Sequence, residues 1–345
     1  MTGVSGCRIP PLIAGGIMPS WRCSNACRHC LYYCSPRQPD EWMDLGLARR
    51  IFAALAREPR LVELHIGGGE PFLRPDRLIE IVRLASETSL PLAYVETNAF
   101  WCTDRERTRD LLRSLRTAGL PGLLVSVSMF HNEFVPFRSM RIAVETAIEV
   151  FGSAGVIVYL PHMYELLGRL PDDGKHALQE FCRFFDLERS LEALPRLYGV
   201  IPGGRATSAL RESYVARRAI NYEHVRCDNL LGTTHFHIDP HGFLFTGLCA
   251  GIAVATVDDF HPKITPASHP IATTLLADGP CGLMRSASER HGYRERDVGY
   301  VSACDLCIDV RAFMRRAGDY PELSPDEFYL DLDRPTASSA RSVES

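Results

Sequence analysis

The chain opens without the basic stretch and apolar run of a secretory signal, so the expected compartment is the cytoplasm. It has no large excess of either charge: 38 Lys and Arg stand against 42 Asp and Glu, a net charge of −4. That leaves no global field to draw nucleic acid or an anionic membrane, and neither is expected as a partner. Long apolar runs are scarce too. The one uncharged stretch long enough to raise a membrane span, 240–257, is broken by Pro240, His241, Gly242, Gly247 and Gly251. Punctuation of that kind reads as paired strands. No internal repeat or low-complexity tract interrupts the chain, and only the Ser- and Ala-rich end, 335–345, is expected to be disordered. What remains is an ordinary globular mix, 46% apolar and 23% charged over 345 residues. That suffices for two modest domains or one large domain with an appendage.

Against this plain background the twelve cysteines stand out. Nothing indicates export, so a disulfide framework is not expected, and the thiols are either small buried groups or metal ligands. Their place along the chain matters. Short apolar runs at 12–18, 61–66, 92–96, 123–129, 156–160 and 197–201 alternate with helical patterns at 44–57, 75–87, 104–118, 139–152 and 174–189. The first of these helices can be capped by Asp44 and has an apolar face from Leu45, Leu47, Ile51, Phe52 and Leu55. Parallel strands need helical crossovers, so this rhythm predicts an α/β fold, a partial (β/α)6 barrel with its chemistry at the C-terminal strand ends. After about residue 210 the rhythm stops. Residues 234–245 alternate, turn at Pro240-His241-Gly242 and alternate again, a β-hairpin signature. The expected division is 1–215 for the barrel, 216–320 for a small cysteine-rich unit with the hairpin, and 321–345 for a tail.

Cys23, Cys27 and Cys30 follow the first strand as C-x3-C-x2-C. A structural zinc site usually takes four protein ligands. Three thiolates on a cuboidal iron–sulfur cluster leave one iron open to a small chelating molecule. This motif strongly resembles that of the radical S-adenosylmethionine (SAM) superfamily, with His29 at the family's aromatic position before the third cysteine. Other strand ends carry further resemblances. Gly68-Gly69-Glu70-Pro71 is similar to the family's GGEP motif, whose backbone binds the methionine amino group. Thr97 and Asn98 resemble its ribose- and carboxylate-contacting pair, and Ser128, rather than Ser126, its serine. Phe130 stands where many members have aspartate. Val200 resembles the strand flanking adenine, and Gly204-Arg205-Ala206 a turn found in members with C-terminal clusters. The resemblance implies a 4Fe–4S cluster, bound SAM, a low-potential electron donor such as flavodoxin or ferredoxin, and a 5′-deoxyadenosyl radical that takes hydrogen from substrate.

Cys227, Cys249, Cys304 and Cys307 flank or follow the hairpin. They resemble the ligands of a twitch-type, shortened SPASM domain holding a second 4Fe–4S cluster. Zinc at the same residues is the alternative, and Cys281 is a possible substitute for one of the four. Cys7, Cys34, Cys102 and Cys182 lack partner spacing and read as small buried residues, with Cys34 and Cys102 near the barrel mouth. For substrate contact the candidates are His131, Glu133, His162, Tyr164 and Arg205, the last either clamping a carboxylate or bracing its own turn. The expected substrate is a small metabolite, such as a carboxylated sugar or nucleoside in natural-product or antibiotic biosynthesis. It would undergo decarboxylation, dehydrogenation or epimerisation, making the enzyme a lyase or oxidoreductase. Maturation of a ribosomal peptide or protein side chain is the alternative. A barrel strand beginning by residue 12, with no room before it for a leader-binding unit, favours the small molecule. A non-enzymatic iron–sulfur or zinc protein is disfavoured by the SAM-contact set.

Overall fold

The computed structural model describes residues 6–187, 193–330 and 332. The expected tail at 335–345, and the last two residues of the helical pattern at 174–189, lie outside the described residues. Five strands alternate with four helices in order: β1 (Ala14–Ile17), α1 (Leu45–Leu55), β2 (Glu63–Ile66), α2 (Pro75–Glu87), β3 (Leu92–Thr97), α3 (Arg105–Thr117), β4 (Leu123–Ser126), α4 (Phe137–Phe151) and β5 (Val156–Tyr159). The Asp44 side chain caps α1 by accepting from the Gly46 and Leu47 amides. One face of that helix buries Ala48, Ile51, Phe52 and Leu55. Burying large apolar side chains of this kind contributes about 1.5–3 kcal/mol each.

The sheet departs from expectation at its sixth parallel strand. Residues 197–201 form no strand: the helix Ala193–Tyr198 occupies the first part. Gly199, left-handed at φ 70°, closes that helix. Its amide donates to the Arg196 carbonyl at 3.2 Å, and the Val200 amide donates to the Pro195 carbonyl at 2.7 Å. This is a Schellman cap, so Leu-Tyr-Gly-Val is a helix stop. The sixth parallel strand is instead β6 (Phe236–Ile238), the first half of the hairpin, and it joins at the other edge, beside β1. The strands β7 (Phe243–Thr246) and β8 (Ala255–Thr256) follow antiparallel. The complete order is β5-β4-β3-β2-β1-β6-β7-β8, a mostly parallel α/β sheet that does not close. The uncharged run 240–257 therefore supplies paired strands, and among the described residues no helix is long and apolar enough to cross a membrane.

Two long helices, α5 (Pro270–His291) and α6 (Ala303–Ala317), pack together after the hairpin. The segment after them returns to the barrel. Gln38 donates to the carbonyls of Tyr33 and Glu327, both at 3.0 Å, and His241 in the hairpin turn meets the Glu327 carboxylate at 2.7 Å. That hydrogen bond raises the His241 pKa to about 9. The Glu327 carboxyl lies below its usual range, held there against burial by its bond to His241. A raised histidine stabilises the fold below its unfolded pKa and loses that contribution as pH climbs through 9. A lowered carboxylate stabilises above its unfolded pKa and loses it as pH falls. The pair's contribution is therefore full between about pH 4.5 and 6.5, is lost as pH climbs to about 9, and is lost on the acid side as pH falls below 4.5 through the lowered Glu327 value. Glu327→Gln is expected to cost about 1 kcal/mol at pH 7, after allowance for the partly exposed histidine. Urea midpoints of parent and variant should draw together as pH falls progressively below about 4.5 and as it rises past about 9.

Candidate functional site

A cavity of about 410 Å³ opens at the C-terminal ends of the parallel strands and extends along their inner face. Cys23, Cys27 and Cys30 line it together with Gly68, Gly69, Glu70, Thr97, Asn98 and Val200, so most of the expected cofactor contacts converge on one space. The three thiols interact electrostatically in every pairing. Burial pushes Cys23 up to about 12, with the Glu70 charge adding to it, and pushes Cys27 well above its usual value. Cys30 is drawn down to about 6, chiefly by a hydrogen bond with the Cys34 thiol and further by the Arg205 charge. Cys34, read from sequence as a small buried residue near the barrel mouth, thus lines the cavity beside Cys30.

The loop carrying these cysteines has neither helix nor strand, and neighbouring loops satisfy its backbone. The Gly69 amide donates to the Ser20 carbonyl at 3.1 Å and the Glu70 amide to the Arg22 carbonyl at 2.9 Å. Glu70 itself ties two strand ends together. Its carboxylate accepts from the Phe72 amide at 3.1 Å, the Thr97 hydroxyl at 2.9 Å and the Asn98 amide at 2.8 Å. Burial raises this carboxyl to about 7 against those three donors. Arg205 serves the same loop. Its amide donates to the Cys30 carbonyl at 2.9 Å, and its guanidinium to the Cys27 and Cys34 carbonyls at 2.9 and 3.0 Å. Gly204 makes this approach possible, since a Cβ there would sit 2.4 Å from the Leu31 Cα. Of the two roles open to Arg205, the structure displays the brace.

Among the other substrate candidates, His131 alone lines the cavity. It is buried, bonded through Nδ1 to the Ser128 hydroxyl at 2.8 Å, and desolvation lowers its pKa to about 4. Ser128 caps the short helix Met129–Asn132, and Ser126 is the serine that faces the cavity. Glu133 lies in a bidentate ion pair with Arg28. His162 meets the Leu197 carbonyl at 3.0 Å on the surface, and Tyr164 packs against Phe137. Sequence reading missed five further lining residues, Tyr32, Tyr94, Glu96, His235 and His237. The alternation His235-Phe236-His237 carried the signal, because residues two apart on a strand share a face.

The residues present fit a cluster with SAM. Three thiols converge, and the Asn25 Nδ2 and His29 Nδ1 atoms are buried beside them without a hydrogen-bond partner. At the second set, Cys227, Cys249, Cys304 and Cys307 likewise interact in all six pairings. Buried Arg311 lies against Cys307 and donates to the Ala250 carbonyl at 3.0 Å. Cys281 stands apart, its thiol donating to the Ala219 carbonyl at 3.0 Å.

Residues 17–160 match the family model described as the radical SAM superfamily. The chain contains a radical SAM domain. Solved structures similar to it include BtrN in complex with AdoMet and 2-DOIA, 14% identical over 72% of this chain and 78% of that one, TM-score 0.42. Native anSMEcpe with bound AdoMet is 13% identical over 72% and 78%, TM-score 0.38. HemN, the coproporphyrinogen III oxidase of Escherichia coli, is 15% identical over 69% and 66%, TM-score 0.32. No curated protein sequence matches the chain.

Arg205→Met removes a buried cation that holds two loop carbonyls, and a lost charged hydrogen bond of this kind costs about 1.5–3 kcal/mol. The variant is expected to unfold at lower urea and to lose iron faster to a chelator than the parent. Equal iron retention would show that the loop holds its shape without the brace.

Proposed function

We propose that the chain is a radical SAM enzyme that takes hydrogen from a small metabolite held in the cavity between the cysteine loop and the histidine wall. The observation that carries this reading is the convergence, in one space, of the cysteine triplet with Gly68, Gly69, Glu70, Thr97 and Asn98. Cys23, Cys27 and Cys30 would hold a 4Fe–4S cluster, and Gly68 to Glu70, Thr97, Asn98 and Val200 would seat SAM. Bound there, the two supply a 5′-deoxyadenosyl radical to the substrate. The chain's own work is positional. Glu70 fixes the ends of β2 and β3, and Arg205 fixes the cysteine loop.

We also infer a second 4Fe–4S cluster at Cys227, Cys249, Cys304 and Cys307, in the unit expected over 216–320. Its support is the mutual approach of the four thiols and their C-x2-C pair on α6. Tetrahedral zinc at the same four thiols is the alternative.

For the substrate, the expected carboxylate finds little support. Among the described residues lining the cavity there is no lysine or arginine to meet one. The test is anaerobic 5′-deoxyadenosine formation by reconstituted, reduced protein against neutral and charged sugars, nucleosides and short peptides. Stimulation by a small molecule supports the reading, and stimulation by peptides alone replaces it with side-chain maturation. Joint replacement of Cys23, Cys27 and Cys30 by Ala should abolish SAM cleavage and leave roughly half the iron, as expected for two clusters of equal size. Complete loss of iron would remove the second cluster.

A further inference from the structure

The cavity lining contains a carboxylate with no assigned task. Glu96, on β3, faces the cavity with 35% of its side chain accessible. Among the described residues none donates a hydrogen bond to it, and its nearest cationic candidate, His65 Nε2, is 3.8 Å away. Room is kept for it, because a Cβ on Gly67 would lie 2.8 Å from its Oε2.

Beside Glu96 the sheet is built around a histidine pair. Gly16 on β1 is in register with His65 on one side and His237 on the other. A Cβ at Gly16 would lie 2.3 Å from His65 Nε2 and 2.8 Å from the His237 ring. Its absence lets the two imidazoles meet over the strand, Nε2 to Nε2, at 3.2 Å. His237 Nδ1 meets the Tyr32 hydroxyl at 3.0 Å. Burial holds both imidazoles well below their usual pKa, so the pair is neutral. The wall therefore offers neutral donors and acceptors and one free acid. Tyr94, Tyr159 and Tyr198 add aromatic surface, which suits a cation.

We propose that Glu96 anchors a protonated amine of a small hydroxylated substrate, whose neutral polar groups meet the His237–Tyr32 pair. This rests on the reading of the cavity as the substrate site and names the chemistry that site selects. Burial that pushes the Glu96 carboxyl up to about 7 fits an acid awaiting a cationic partner.

The test uses the reconstituted full chain with SAM bound and three matched probes, glucosamine, glucose and glucuronate, read by saturation-transfer NMR and titration calorimetry. Glucosamine is expected to bind tightest, and Glu96→Gln to weaken it about 10-fold or more, the scale of a lost charge-assisted hydrogen bond. Glu96→Asp should recover part of that affinity, and an unchanged far-UV circular dichroism spectrum shows that both variants fold. Three outcomes overturn the proposal: glucuronate binding at least as tightly, amine affinity unchanged in Glu96→Gln, or no binding by any probe. Weaker SAM binding in Glu96→Gln with amine binding intact would also overturn it, by assigning the residue to the cofactor. SAM cleavage by the unsubstituted protein without any probe tests the broader function separately.

Discussion

The structure turns on how an irregular loop is held. Between β1 and α1 the chain carries Cys23, Cys27 and Cys30 on backbone that no helix or strand satisfies, and buried carbonyls and amides left unpaired are costly. Other parts of the fold supply the partners. Gly69 and Glu70 donate from the end of β2, and Arg205 reaches in from far along the sequence. Gln38 and Tyr33 then join the same region to the segment around Glu327. A loop held from several sides keeps three thiols in mutual reach, although their proximity is itself unfavourable when they ionise.

Much of this was legible in the sequence where the signal was local. The cap at Asp44, the alternation of five strands with four helices, the hairpin and the cysteine spacing all follow from neighbours within a few residues. Run 197–201 was misread because Leu, Tyr, Val and Ile suit a strand, whereas Gly199 ends a helix there. The sixth parallel strand was hidden for a different reason. Its residues were identified as hairpin, but their pairing with β1 joins positions more than two hundred residues apart, which no periodicity records.

The site divides in the same way. The cysteine triplet, Glu70, Thr97 and Asn98 stand in short motifs and line one cavity. Candidates chosen for chemistry near strand ends fared differently: Glu133 is engaged by Arg28 and His162 lies at the surface. Several of the other groups that line the cavity, Tyr94, Glu96 and His237, come from strands. A histidine or glutamate in the middle of an apolar strand is weak evidence alone. Gly16 makes His65 and His237 a pair, and that relation exists only across three strands.

The position of β6 also sets an order of events during synthesis. β1 pairs with β2 soon after it is made, but its other edge stays open until residues 236–238 emerge. At ordinary elongation rates of about 5–20 residues per second, that interval is about 10–45 s. For this time the nascent barrel presents an unpaired strand edge, a surface that invites association with other chains. The hairpin closes the edge and, in the same step, brings His237 over Gly16. Completion of the sheet and completion of the cavity wall are one late event.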